Sequence, residues 1–389
     1  MAAGGRANAT ARYIVHFEDA STDDHGRLGG KCAGLARLIA AGATVPSGFA
    51  VTTHAYADML SVHRLENEIR MRLDRVSHDD VAGQALVAEE IQDRIRTRPV
   101  PDEVHAAVRS GYEALCARHG TEVPVAVRSS GTAEDLPDAS FAGQGETYLW
   151  TVGADAVVDR VRACWASLFT ARAIAYRAKQ GLGQFDLLMA VGVQKMVNAR
   201  AAGVAMSLDP SNGDRSKIVI ESVWGLGEPL VSGQITPDYF VIDKVLLEPI
   251  KRTIVPKLSE LVADPAARRT TLRDIEDDRR NQSSLTEAQL RAVARVVKSV
   301  EKSLGGPQDV EWAIDRLQQE DEGVVLLQSR PETVWSNKKT EVPSATNYAT
   351  GVHGVLGTLL SPLASRDVRK PASPQGGFHD GTGTLPKSV

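Results

Sequence analysis

A chain of 389 residues with 42% hydrophobic and 24% charged side chains can bury a substantial core, and its formal net charge of -4 gives no electrostatic reason to expect nucleic acid as a partner. Its three cysteines, Cys32, Cys116 and Cys164, are too few for a disulfide framework and not spaced for zinc, which fits a reducing compartment. No stretch reaches transmembrane length and no secretory apolar run follows Met1, so a cytoplasmic protein with no membrane partner is expected.

Residues 31–41 place Leu35, Leu38 and Ile39 on one helical stripe with Gly42 as its stop, so the spacing predicts a helix that begins just after Gly30. The positive end of that helix then lies beside Lys31, a physical reason to expect an anion nearby; a plain surface charge at a helix start is the other reading. Gly29-Gly30-Lys31 is not a Walker A loop, because His25 stands where the first glycine belongs and Cys32 follows the lysine. Residues 58–96 carry dense Glu/Arg pairs at helical spacing and residues 102–119 continue as helix, both expected as solvated cover without chemistry.

An apolar strand over residues 123–127 runs into Arg128, then Ser129, Ser130 and Thr132, an acidic turn and a glycine-bearing stretch. Backbone N–H groups, hydroxyls and one arginine suit a phosphate cradle, and they also make an ordinary polar turn. In the next helix Val157, Val161, Cys164, Trp165 and Leu168 form the apolar stripe, with Arg172 and Arg177 expected as structural or rim charges. From residue 188 short strands dominate (LLMAVGVQKMV, AGVAMSLD, SKIVIESV, DYFVID), an antiparallel α+β pattern. Gly225-Leu226-Gly227 fails the dinucleotide fingerprint, because Leu230 holds the third glycine's place. Residues 256–283, rich in charge and poor in large apolar side chains, are expected as a surface excursion. Thr286 with Gln289 makes a capping-box start for a helix through Leu304, stopped by Gly305-Gly306-Pro307.

Two strands close the folded part. In QDVEWAID the side chains of Asp309, Glu311 and Ala313 share one face, and in GVVLLQSRP those of Leu326, Gln328 and Arg330 do the same. If the strands pair, a carboxylate, a carboxamide oxygen and a guanidinium stand side by side, a set suited to Mg²⁺ and phosphate oxygens; a surface hairpin with an ordinary charge pair is the alternative. Beyond Trp335 the sequence turns Pro-, Ser- and Gly-rich, with one apolar patch at 355–363, and is expected as a linker or docking tail.

These segments resemble a known family. LGGKCAGLARL, VPSGFAVT, VAVRSSGTAEDLPDASFAGQGETYLW, CWASLFTARAIAYR, VGVQKMV, VWGLGEPLVSGQITPDYFVID, QDVEWAID and LLQSRPETVW follow the order of the ATP-binding domain of phosphoenolpyruvate synthase and pyruvate phosphate dikinase, from about residue 13 to about residue 336. The resemblance implies an ATP-grasp fold of class α+β, with mainly antiparallel sheets, flanking helices and two subdomains that clamp ATP. It divides the chain into an extension (1–12), an N-terminal subdomain (13–187), a C-terminal subdomain (188–336) and the tail (337–389).

Carried over by position, the resemblance makes Lys31, Arg128 and Arg330 catalytic contacts to the ATP phosphates. Thr132 with Gly143, Gln144 and Gly145 becomes the loop that closes over those phosphates. Gln194, Lys195, Met196 and Val197 become the strand against the adenine, Met196 packing on its face or else serving the core. Glu221 and Gly227 fall on the ribose side. Glu311 and Gln328 become the metal ligands, with Asp309 behind them, and the implied cofactors are ATP and Mg²⁺, with Mn²⁺ as a substitute.

One departure shapes the expected function. Full-length members carry a swivelling domain whose histidine, in a Gly-Gly-x-x-Ser-His type of motif, accepts phosphate; none of the nine histidines here stands in that motif. The resemblance therefore implies the ATP-binding subunit of a split enzyme, like phenylphosphate synthase or 4-methylbenzyl phosphate synthase. A separate chain would carry the phosphohistidine and the pocket for a phenolic acceptor such as phenol or p-cresol. A fragment of a phosphoenolpyruvate synthase or rifampicin phosphotransferase, and a nucleotide-sensing pseudo-enzyme, are the alternatives.

Overall fold

The computed structural model describes residues 10–77, 80–132, 145–316, 318 and 323–335. In chain order these give β1 (Ile14–His16), α1 (His25–Ala40), β2 (Gly48–Val51), four helices α2 (Thr53–Val62), α3 (Leu65–Leu73), α4 (Val81–Thr97) and α5 (Asp102–His119), then β3 (Val125–Gly131) and β4 (Thr147–Thr151). Two helices follow, α6 (Ala154–Ser167) and α7 (Ala171–Lys179), and then β5 (Met189–Lys195), β6 (Ala199–Met206), β7 (Lys217–Trp224), β8 (Asp238–Asp243) and β9 (Pro249–Thr253). The hairpin β10 (Ser259–Asp264) and β11 (Arg269–Asp274), helix α8 (Glu287–Leu304), and the strands β12 (Gln308–Asp315) and β13 (Val324–Pro331) complete it. Among the described residues no helix is long and apolar enough to cross a membrane.

The strands form a five-stranded sheet in the order β1-β2-β5-β3-β4 and a six-stranded sheet in the order β13-β12-β6-β7-β8-β9. Every pairing in both is antiparallel, the α+β architecture expected. Alternation sorts the first sheet cleanly. Phe49, Val51, Val125, Val127, Val191 and Val193 point into the core under the helices α2 to α6. Ala126, Arg128 and Ser130 therefore point the other way. Strand β5 lies in this first sheet, between β2 and β3, although its sequence falls beyond residue 187.

Helix α1 is the joint between the sheets. Its Leu28, Cys32, Leu35 and Leu38 share one buried cluster with Phe17 and Ala50 beside the first sheet and with Val310, Trp312 and Leu326 of the second. Contacts this close need glycine: a Cβ on Gly34 would sit 2.9 Å from the Ser329 carbonyl, and one on Gly192 would sit 3.1 Å from Cys32 Sγ. A short helical turn from His25 comes first, the backbone breaks at Gly29, whose φ is +68°, and the helix that carries the apolar stripe starts just after that break, as the spacing predicts. A pattern of apolar spacing cannot report a turn made before the stripe begins.

Helix α8 has the predicted capping box, with Gln289 N donating to Thr286 Oγ1 and Thr286 N donating to Gln289 Oε1, and Gly305 ends it at φ +77°. Of the two readings left open for Arg177, structural or rim charge, the structural one holds: its side chain is fully buried, stacked on Phe169 at 5.3 Å, with Nε donating to Gln184 Oε1. The charged stretch 256–283 is mostly exposed, as a surface excursion should be, but two of its charges turn inward. Lys257 meets Asp238, and Glu260 meets Arg273 and Arg279, so both Lys257 and Glu260 can be buried.

Candidate functional site

The two last strands pair in the register that the alternation requires, Asp309 opposite Arg330 and Glu311 opposite Gln328. Arg330 Nε donates to Asp309 Oδ2 at 3.3 Å across the pair. Immediately after Glu311 the register slips, so that Trp312 faces Leu326 and Leu327 is left without a partner in β12. The slip frees the Leu327 carbonyl, and Arg128 takes it: Nη1 donates to Leu327 O at 3.2 Å.

Arg128 comes from the other sheet. Its Nη2 also donates to Glu311 Oε2 at 2.9 Å and to Gln328 Oε1 at 2.8 Å. Beside it, α1 is pinned onto β3 by Ser130, whose hydroxyl donates to Leu28 O and accepts from Cys32 N. The bend at Gly29 permits that approach, since a Cβ there would lie 2.0 Å from the Ser130 carbonyl. Lys31 then follows with Nζ donating to Ser129 O at 3.1 Å.

Two adjoining cavities open on these residues. The larger, about 490 Å³, is lined by the charged groups Lys31, Arg128, Glu221, Asp309, Glu311 and Arg330, together with Gln328 and Gly145. The smaller, about 150 Å³, is mostly apolar and is walled by Gln194, Lys195, Met196 and Val197, where β5 leaves the first sheet for the second. Arg128, Thr147, Val231 and Glu311 line both. Gln194 is buried, and its Nε2 has no hydrogen-bond partner among the described residues although it borders the apolar cavity. A buried donor left unpaired is costly, so an acceptor on a bound molecule would satisfy it.

The predicted residues do not all converge. Thr132 lines neither cavity and instead holds the end of β3, its N donating to Leu188 O and its hydroxyl accepting from Leu188 N. Gly143 and Gln144 lie outside the described residues. Gly227 borders the apolar cavity, but a Cβ there would make only an ordinary contact at 3.4 Å. The glycine this loop requires is Gly225, at φ +73° and bridged to Leu261 of the hairpin. Sequence reasoning missed Thr147 and Leu149 of β4 and Ala202 of β6, small or neutral walls that carry no chemical signal of their own.

Burial raises the Asp309 carboxyl above its usual range against the opposing pull of Arg330, and burial alone raises that of Glu221. Glu311 and Gln328 present two oxygens close enough together to bond one Arg128 nitrogen, so both can also reach one cation. No group of three or more His, Cys, Asp or Glu side chains is placed to hold a metal among the described residues. Two hard oxygens with the remaining positions left to phosphate and water fit Mg²⁺. The chemistry available is therefore charge neutralisation around a phosphate chain, next to a slot for a flat apolar group.

Residues 25–350 match the family described as Pyruvate phosphate dikinase, AMP/ATP-binding domain. The chain is 40% identical over 358 residues to a phosphoenolpyruvate synthase of Aeropyrum pernix, covering 85% of this chain and 43% of the relative. To a probable phosphoenolpyruvate synthase of Staphylothermus marinus it is 39% identical over 352 residues, 84% of this chain and 42% of the relative. A rifampicin phosphotransferase of a Streptomyces species is 39% identical over 327 residues, 83% of this chain and 36% of the relative. The chain spans less than half the length of each of these relatives.

Proposed function

This chain belongs to the pyruvate phosphate dikinase AMP/ATP-binding domain family, and on that premise we propose that it is the ATP-binding component of a two-component phosphotransferase. The observation that carries the reading is the meeting of Arg128, Glu311 and Gln328 at the junction of a charged cavity and an apolar one. Adenine enters the apolar cavity along Gln194, Lys195, Met196 and Val197. The phosphates extend past Arg128 toward Lys31 and Arg330, in the charged cavity that Glu221 also borders. Glu311 and Gln328 hold Mg²⁺, which when bound neutralises phosphate charge.

In this reading the chain's own residues position and stabilise. Arg128 bonds Glu311, while Asp309 orients Arg330 through the bond at 3.3 Å. Lys31 is steadied by the Ser129 carbonyl. Three cations around a transferring phosphoryl group act where charge builds in the transition state, the largest contribution a protein makes to such a reaction.

The proposal assigns the phosphate-accepting histidine to a separate partner chain, which also carries the acceptor pocket. None of the nine histidines in these 389 residues stands in the family's phosphohistidine motif, so the proposal looks for that histidine outside them. Phenol or p-cresol is the proposed acceptor, with AMP and phosphate as products, and the cytoplasm the proposed setting. The names of the relatives give a second reading, in which the same ATP-binding half belongs to a phosphoenolpyruvate synthase or a rifampicin phosphotransferase. Incubating the purified chain with ATP, Mg²⁺ and each acceptor, with and without a candidate histidine-bearing chain, separates these by chromatography. Aryl phosphate and AMP appearing only with the partner is the expected result; aryl phosphate without it, or ADP as sole nucleotide product, overturns the proposal.

A further inference from the structure

Arg128 stands in the place that the metal needs. Both oxygens assigned to the cation, Glu311 Oε2 and Gln328 Oε1, accept from the same Nη2 at 2.9 and 2.8 Å. The group is well sheltered, with 16% of the Arg128 side chain and 25% of the Glu311 side chain exposed. It is anchored a third time through Nη1 to the Leu327 carbonyl that the register slip sets free. A divalent ion bonding these oxygens at about 2.1 Å would use the lone pairs that Nη2 now uses, and would set a second positive charge against the guanidinium. The arginine and the cation exclude one another.

A phosphate chain removes the conflict. Arg128 lines the charged cavity, so its fork can turn from a carboxylate and a carboxamide to phosphate oxygens, a pairing of equal geometry. Glu311 and Gln328 then receive the cation that arrives on the same phosphates, and the net charge pairing is preserved. We infer that Arg128 is a positioning residue that holds Glu311 and Gln328 ready and closed to free divalent cation, yielding them only when a phosphate chain draws it away. The inference rests on the nucleotide-site reading above. It gives Arg128 a task beyond contact with phosphate: making metal and nucleotide enter together.

The distinguishing result runs opposite to intuition. An arginine that only touches phosphate leaves the affinity for free metal unchanged when removed, and one that only ties the sheets together lowers it by loosening the site. An arginine that occupies the metal position raises it. Mn²⁺ titrations followed by electron paramagnetic resonance, without nucleotide, measure this on the native chain, Arg128→Met and Arg128→Lys. Arg128→Met is expected to bind Mn²⁺ at least about tenfold more tightly than the native chain, and Arg128→Lys, which keeps the charge but not the fork, by an intermediate factor. Adding Glu311→Gln to Arg128→Met should abolish the gain.

If Arg128→Met gives no cooperative melt, the gain in Arg128→Lys decides. Equal or weaker Mn²⁺ binding in the folded variants, or a gain that survives Glu311→Gln, overturns the inference. A parallel ATP-binding measurement on the native chain keeps the two claims apart. Native chain that binds ATP while the variants show no gain sinks only the role given to Arg128, whereas native chain that binds no ATP sinks the site itself.

Discussion

Lys257 Nζ lies 2.6 Å from Asp238 Oδ1 with neither side chain more than 1% exposed. The other carboxylate oxygen, Oδ2, accepts from both the backbone N and the hydroxyl of Ser284, so the buried charge is fully satisfied. The pair ties the segment leading into β10 onto β8, and β10 supports the Gly225 turn behind the apolar cavity.

Lys257→Met should therefore cost more than its loss of one bond suggests, because Asp238 would remain buried without its cation. A loss of roughly 3–5 kcal/mol is expected in urea unfolding. The double variant Lys257→Met with Asp238→Asn should lose clearly less than the sum of the two single losses; strict additivity would show that the two residues do not interact.

Glu260 makes the same hairpin sensitive to acid. Burial pushes its carboxyl up, but the hydrogen bonds and charges of Arg273 and Arg279 outweigh that and hold it below the usual glutamate range. A depressed carboxyl stabilises the fold above its unfolded value and loses that contribution as pH falls through the folded one. The native chain should thus exceed Glu260→Gln in stability at neutral pH, with the gap closing below roughly pH 4. A gap of constant size down to about pH 3 would mean the arginines do not depend on the charge.

The paired ends of β12 and β13 were legible because period-two alternation places Asp309 and Glu311 on one face whatever else the chain does, and the capping box at Thr286 is a purely local signal. What alternation cannot give is the arrival of Arg128, whose partners Glu311 and Gln328 lie 183 and 200 residues further along the chain. That reach is set by α1 packing on both sheets, and α1 announces only its apolar stripe. Charge density could not single out Lys257, Glu260 or Arg177 as the charges that end up buried: a sequence shows that charges are present, while burial depends on which partner each one meets in space.

Mg-ATP should raise the melting temperature of the chain, since binding to the folded state alone stabilises it by mass action. At a hundredfold excess over the dissociation constant the gain is about 2.7 kcal/mol, or a shift of roughly 5 °C for a domain of this size. Glu311→Gln should reduce the shift given by Mg-ATP. An unmoved midpoint at millimolar nucleotide would count against the site.

Arg330→Ala should leave the fold intact, because its side chain is 49% exposed. Turnover in the assembled enzyme should fall on the order of a hundredfold or more. Asp309→Asn should fall less, since it only orients Arg330, and near-native turnover in Arg330→Ala would remove that arginine from the phosphate site.

Strand β5 carries a consequence for how the chain is made. It separates β2 from β3, pairing Gly48 with Gln194 on one side and Val125 with Lys195 on the other. A ribosome that has delivered residues 13–187 has supplied both outer neighbours and not the strand between them. Until residues 189–195 emerge, β2 and β3 each present a row of unpaired backbone groups, the condition under which nascent chains find wrong partners. A fragment cut at residue 187 would keep those open edges permanently. The smallest piece able to close the first sheet must run past Lys195, into the segment that already walls the apolar cavity.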